Sequence, residues 1–118
     1  MDIELKNWSK MYSSSFVKQF VEFDLVTMTK SKPKLWVFNK TKGIQDVKTL
    51  QNMVLKELKK DNIRKKIEKS INDGKIRKQI NGIFETGDKI EDAESLYKVL
   101  SDENQFKKIF NFVEDLEK

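Results

Sequence analysis

The chain has 118 residues, contains neither His nor Cys, and carries 24 basic and 19 acidic side chains for a formal net charge of +5. The missing imidazoles and thiols exclude the usual proton shuttles, thiol nucleophiles and zinc sites. The length and a hydrophobic fraction of 37% indicate one folded domain and exclude a disordered segment.

The first part of the chain predicts a small antiparallel sheet. Apolar residues alternate with acids over residues 1–5, which predicts a short first strand followed by a polar, Ser-rich loop. Residues 13–30 fit either a helix that begins at a Ser cap or a half-buried strand. We take residues 20–29 as a strand, and the sequence leaves open whether residues 13–22 are helix or strand. Residues 31–34 then predict a turn and residues 35–41 a second strand, so that the only Pro lies in the connection of a hairpin.

From residue 45 onward the apolar period becomes helical. Apolar residues recur at helical spacing over 47–58 and again over 63–71, but the second stripe is rotated by about 140° from the first. We therefore predict two helices with a break at Asp61 and Asn62, because both residues are good N-caps. The Asn-Asp-Gly sequence at 72–74 predicts a left-handed end for the second of these helices.

Three more helices are predicted in the last third of the chain. The first covers residues 76–84 and ends near Gly87. The second begins with capping-box spacing at Asp88 and places apolar residues on one face over 90–100. The third carries an apolar stripe over 106–116.

The predicted fold is one α+β domain over residues 1–118. Residues 1–43 are mainly β and form a small antiparallel sheet, either a hairpin or a three-stranded meander. Residues 44–118 form about five short helices that pack on the sheet and on one another.

Catalytic motifs are missing from the sequence. It has no phosphate-binding loop, no dinucleotide fingerprint and no nucleophile elbow. The clustered acids Glu91, Asp92 and Glu94 lie near a predicted helix start, where acids are favoured, and we interpret them as caps rather than as a Mg²⁺ site. We expect a protein that is not an enzyme and that uses neither cofactor nor metal.

The main positive feature is a run of ten basic and four acidic residues over 56–79, with a net charge of +6. If the isoleucines of the second helix face the core, Lys65 and Lys69 stand at the centre of its opposite face and could lie along a phosphate backbone. A solvated helix face in a Lys-rich protein is the alternative. The ten residues, called the basic ridge below, are Lys56, Lys59, Lys60, Arg64, Lys65, Lys66, Lys69, Lys75, Arg77 and Lys78.

A second candidate site lies in the predicted strand over 35–41, where both faces are apolar. Exposed Trp36 and Phe38 rings, flanked by Lys40 and Lys42, would resemble the stacking platforms that bind single-stranded nucleic acid. A strand covered on both faces explains the same pattern and is the interpretation we favour, because large aromatic residues usually fill cores.

These features predict a small binding or regulatory protein that contacts nucleic acid. Its 22 Lys and two Arg predict little sequence preference between DNA or RNA sites, since Arg is the usual reader of guanine. The alternative is an inhibitor or adaptor that binds an acidic protein surface, for example on a nucleic-acid enzyme. The sequence leaves open whether the protein is a monomer or a homodimer.

The expected location is the cytoplasm. No stretch has the roughly 20 apolar residues of a membrane span, and the first ten residues lack the pattern of a secretory signal. The Lys-rich, Ala-poor composition indicates AT-rich codons and is typical of accessory proteins of phages, plasmids or low-GC bacteria. For a viral source the location would be the host cytoplasm.

Overall fold

Short strands alternate with helices in the described part of the chain. The structure is a computed structural model that describes residues 2–6, 13–29, 31–32, 34–38 and 46–112. Its elements in chain order are β1 (Asp2–Lys6), α1 (Ser13–Phe16), a π-helical segment (Val17–Asp24), α2 (Leu25–Thr27), β2 (Lys34–Phe38), α3 (Val47–Leu58), α4 (Asp61–Ile71), α5 (Gly74–Phe84), α6 (Ala93–Leu100), α7 (Glu103–Phe106) and β3 (Phe110–Phe112).

The three described strands form one parallel sheet in the order β1-β2-β3. Ile3 lies opposite Leu35 between β1 and β2, and Trp36 lies opposite Phe110 between β2 and β3. Parallel neighbours need long crossovers rather than a tight turn, and helices supply both of them here. The α+β class is confirmed, whereas the predicted antiparallel hairpin or meander is wrong.

Residues 13–27 form a continuous helical segment, so the strand predicted over 20–29 is wrong. Phe16, Phe20 and Leu25 are fully buried at helical spacing, as expected for one face packed on the sheet. A turn follows, in which Thr29 O accepts a hydrogen bond from Lys32 N at 3.1 Å. Pro33 and residues 39–41 of the predicted second strand lie outside the described residues.

Helices α3 and α4 confirm the predicted break. Their apolar stripes point to the same core from two separate helices, and residues 59–60 connect them. Lys60 rather than Asp61 is the N-cap of α4, so Asp61 is the first helical residue. The break therefore lies one residue earlier than the capping preference suggested.

The structure differs from the prediction between α4 and α5 and agrees with it after α5. Asp73 caps α5 by accepting hydrogen bonds from Lys75 N and Ile76 N, instead of closing α4 in a left-handed turn. The left-handed residues follow α5 and are Glu85, at φ 55°, and Gly87, at φ 67°. A left-handed Gly after a helix is the usual C-terminal signal, which agrees with the predicted end near Gly87.

The long C-terminal helix predicted over 106–116 is wrong. Phe106 ends the short α7, and Phe110 already belongs to β3, where it pairs with β2. Residues 113–118 lie outside the described residues. Among the described residues, those before residue 44 include more helix than strand, and those after it include the strand β3.

One hydrophobic core joins the sheet to the helices, and Trp36 lies at its centre. The Trp36 ring is 5.9 Å from that of Phe16, 6.1 Å from that of Phe20 and 5.8 Å from that of Phe110, between ring centroids. Its Nε1 donates a hydrogen bond of 2.6 Å to Oδ2 of the buried Asp24. Asp24 is the last residue of the π-helical segment, and its carboxylate accepts the hydrogen bond of the one polar group of the indole.

Helix α6 begins with a capping box at Asp92, four residues later than predicted. Oδ1 of Asp92 accepts hydrogen bonds of 2.8 Å from both the backbone N–H and the hydroxyl of Ser95, and these bonds lower the pKa of Asp92. A carboxyl with a lowered pKa in the folded state stabilises the fold above its ordinary titration range and loses that contribution as the pH falls through the lowered value.

We therefore expect Asp92→Ala to lower the free energy of unfolding by about 1 kcal/mol near pH 7. The difference from the wild type should shrink between about pH 5 and pH 2, as the carboxyl becomes protonated. Asp92→Asn is the matched control, because it keeps a capping oxygen that does not titrate. Urea unfolding at several pH values measures the effect, and a difference that does not change with pH would contradict the role given to the carboxylate.

Candidate nucleic-acid interface

The basic ridge runs from the C-terminal end of α3 across α4 into α5. Nine of its ten side chains are exposed, and Arg77 is half-buried. Arg77 turns back toward the chain, where Nη1 donates to Ile71 O at 3.2 Å. The guanidinium is therefore partly used inside the protein, while the lysines project into solvent.

Two cations of the ridge form ion pairs. Lys60 Nζ lies 3.0 Å from Oε1 of Glu57, and Lys66 Nζ lies 2.7 Å from Oε1 of Glu22. The hydrogen bond and the positive charge of Lys66 hold the pKa of Glu22 below its ordinary value. Among the described residues, the other eight ridge cations have no ion pair, so their charge is available to a partner.

Two of the four acids that interrupt the run serve the fold, and a third pairs with a ridge cation. Glu57 is 7% exposed and holds Lys60. Glu68 Oε1 accepts the backbone N–H of Ala93 at 3.1 Å, at the start of α6, and Asp73 caps α5. A carboxylate at a helix N-terminus faces the positive end of the helix dipole, which offsets its charge. Glu68 and Asp73 therefore offset little of the ridge charge, whereas Glu57 of the run and Glu22 from outside it each pair with one ridge cation.

The structure confirms that Lys65 and Lys69 point away from the core. Ile63, Ile67 and Ile71 are buried, and both lysines are exposed on the opposite side of α4. Two shallow depressions lie beside these two lysines. One of about 240 Å³ is lined by Asp61, Arg64, Lys65 and Glu68, and one of about 200 Å³ is lined by Val21, Glu22, Lys66, Lys69 and Ser70.

A third depression, of about 140 Å³, was not predicted from the sequence. It lies between α3, α4 and α6 and is called the Tyr97 pocket below. Its lining residues are Leu58, Lys59, Arg64, Ala93, Glu94 and Tyr97. Lys59 Nζ lies 5.1 Å from the centroid of the half-buried Tyr97 ring, a cation–π contact. The sequence places Tyr97 on the apolar face of α6, but α6 lies more than 20 residues beyond α4 in the chain, so no local pattern indicates that these helices meet.

Trp36 and Phe38 do not form the exposed platform that we considered as a candidate site, and their burial agrees with the favoured interpretation of a covered strand. Neither ring has any exposed surface, since β2 is the central strand and is covered on both faces. Bases cannot stack on these rings in this fold. Lys40 and Lys42, which were predicted to flank them, lie outside the described residues.

The remaining ridge residues are less closely assembled. Arg64 joins two depressions, because it lines both the Tyr97 pocket and the one around Lys65. Lys56, Lys75 and Lys78 are exposed but line none of the depressions described above. The best-defined part of the surface is therefore α4 with Lys59.

No metal or membrane feature accompanies this surface in the described part of the chain. No group of three or more Asp or Glu side chains there could hold a metal ion. Over the same residues, no helix is long and apolar enough to cross a bilayer. Comparisons with protein-family models, with curated proteins and with solved structures find no match. Function is therefore inferred from geometry and charge alone.

Proposed function

We propose that this protein is a non-enzymatic binding protein that holds the phosphate backbone of nucleic acid along the basic ridge. The main supporting observation is that eight of the ten ridge cations lack an ion pair among the described residues, while Glu68 and Asp73 are used by the fold. Surface lysines that serve only solubility are usually interspersed with free carboxylates. Here the exposed side of α4 presents Lys65, Lys66 and Lys69 within two turns.

The same chemistry predicts binding with little sequence preference. Ammonium groups on flexible stems contact phosphates as point charges, whereas base recognition usually needs planar, bidentate groups such as Arg. Of the two arginines, Arg77 is partly held by the Ile71 carbonyl. Affinity should therefore depend strongly on salt and weakly on sequence.

The test is fluorescence anisotropy of labelled oligonucleotides between about 50 and 300 mM salt. We expect the double variant Lys65→Gln/Lys69→Gln to weaken duplex binding about tenfold and to reduce the slope of log K against log salt by about 1.8, or 0.9 for each lost phosphate contact. The matched control is Lys89→Gln/Lys98→Gln, which removes the same charge from exposed positions around a different groove, of about 370 Å³. This control should lose little affinity.

Glu22→Gln tests the same surface in the opposite direction. Because Glu22 holds Lys66 at 2.7 Å, the substitution frees one more cation and should tighten binding a few-fold. The pair is exposed, so the variant should leave stability nearly unchanged. The proposal is contradicted if the wild type does not bind at the lowest salt, which would leave an acidic protein as the partner, or if both double variants lose affinity equally.

A further inference from the structure

We infer that the Tyr97 pocket takes one unpaired nucleobase on the Tyr97 ring, with the adjoining phosphates on Lys59 and Arg64. This inference rests on the proposed function and specifies its substrate as nucleic acid with a single-stranded segment. An aromatic face beside two cations is the combination that binds single strands, since the ring stacks on a base and the cations hold the backbone.

The size and lining of the pocket favour one base rather than a whole nucleotide. Its volume of about 140 Å³ is well below the roughly 300 Å³ of pockets that enclose small molecules. Glu94 lines the same pocket and would repel a phosphate there, whereas its carboxylate can accept a hydrogen bond from a base amino group. The phosphates are thus assigned to Lys59 and Arg64 at the rim.

Lys59 does not block the ring permanently. Its ammonium lies 5.1 Å above the ring centroid, yet its side chain is exposed and flexible. At an exposed site, stacking of a base on an aromatic ring is the stronger contact, so a base can displace the ammonium. The released ammonium then lies beside the incoming backbone and can pair with a phosphate.

Helix α6, which carries the Tyr97 ring, is bonded to neighbouring helices at both of its ends. At the start of the helix, Glu68 of α4 accepts the backbone N–H of Ala93 at 3.1 Å. At the end, Nε2 of the buried Gln51 of α3 donates to Leu100 O at 2.9 Å. The three helices that form the pocket are therefore tied to one another, which reduces the entropy lost when a base binds.

The experiment compares a single-stranded oligonucleotide with a duplex of the same length at about 100 mM salt. We expect Tyr97→Leu to weaken single-strand binding by about 5- to 100-fold, to leave duplex binding within about twofold, and to leave the salt slope unchanged, because stacking releases no counterions. Tyr97→Phe keeps the ring and should bind as the wild type does. Val99→Ala is the control for lost apolar surface, because Val99 is half-buried on α6 but lines the other groove.

Tyr97→Trp gives a second measurement that does not depend on the stability of the Leu variant. A base stacked on the new indole should quench its fluorescence on addition of single strand but not of duplex, relative to the wild type. An unchanged affinity of Tyr97→Leu, an equal loss on duplex, or no quenching would overturn the inference while leaving backbone binding intact. Failure of the wild type to bind any oligonucleotide would instead overturn the proposed function.

Discussion

Trp36→Ala should lower the free energy of unfolding by about 4 kcal/mol, the largest loss expected from a single substitution in this chain. The indole is fully buried, and its ring centroid lies within 6.1 Å of the centroids of Phe16, Phe20 and Phe110. Its removal leaves a large cavity and also takes the Nε1 donor from Asp24. Domains of this size are stable by only about 5 to 15 kcal/mol, so the urea midpoint should fall sharply.

Trp36→Phe separates the two contributions. It keeps most of the apolar volume but removes the 2.6 Å hydrogen bond to Asp24, and we expect a loss of about 2 kcal/mol. The folded Trp36→Phe variant should bind oligonucleotides as the wild type does, because the ring is not exposed. A loss of oligonucleotide affinity without unfolding would restore the stacking role that burial argues against. A cost of less than about 1 kcal/mol for Trp36→Ala would contradict its central place in the core.

Helices α3 and α4 were predictable because their signal is local and unambiguous. The rotation between the stripe that ends at Leu58 and the one that begins at Ile63 cannot fit one straight helix. Two isolated pairs of Phe residues were not predictable in the same way, because each pair gives only one interval of four rather than a longer stripe. Spacing of four fits both a helix face and a strand face, so Phe16 and Phe20 occur in a helix while Phe106 and Phe110 span a helix and a strand.

The direction of the sheet could not be read from the strands themselves. Trp36 pairs with Phe110, 74 positions later, and such non-local pairing leaves no trace in local alternation. The continuous apolar run of β2 is typical of a buried parallel strand. This run led to the correct expectation that Trp36 is covered, but it did not indicate which segments cover Trp36.

The sequence predicted which basic residues form the candidate interface, but not how much of their charge is offset by neighbouring acids. The sequence identifies the basic ridge, whereas the role of Glu68 depends on its contact with the start of α6, and the pairing of Lys66 depends on Glu22 of the π-helical segment. The Tyr97 pocket likewise requires three helices to meet. Local patterns place a residue on a face, and only the packing of helices decides which faces share a surface.

Asn81→Ala should cost about 3 kcal/mol, the second largest loss we expect. Asn81 is 2% exposed on α5 and uses its whole amide. Nδ2 donates to Arg77 O at 3.0 Å and to Ile90 O at 2.8 Å, while Oδ1 accepts from Ile90 N at 2.9 Å and from the Thr86 hydroxyl at 2.7 Å. These bonds fix the segment between α5 and α6, and alanine would leave the buried polar groups of Ile90 without these partners.

Asn81→Asp provides the matched test, because it keeps the shape of the side chain but loses both donated hydrogen bonds. Burial disfavours the charged carboxylate and should raise its pKa in the folded state above its unfolded value. A raised pKa means that the folded state binds the proton more tightly, so the stability of Asn81→Asp should fall as the pH rises through the acidic range toward neutrality. Urea unfolding from about pH 4 to pH 8 measures this trend against the wild type. A constant difference, or a loss below about 1 kcal/mol for Asn81→Ala, would show that Asn81 does not hold this segment.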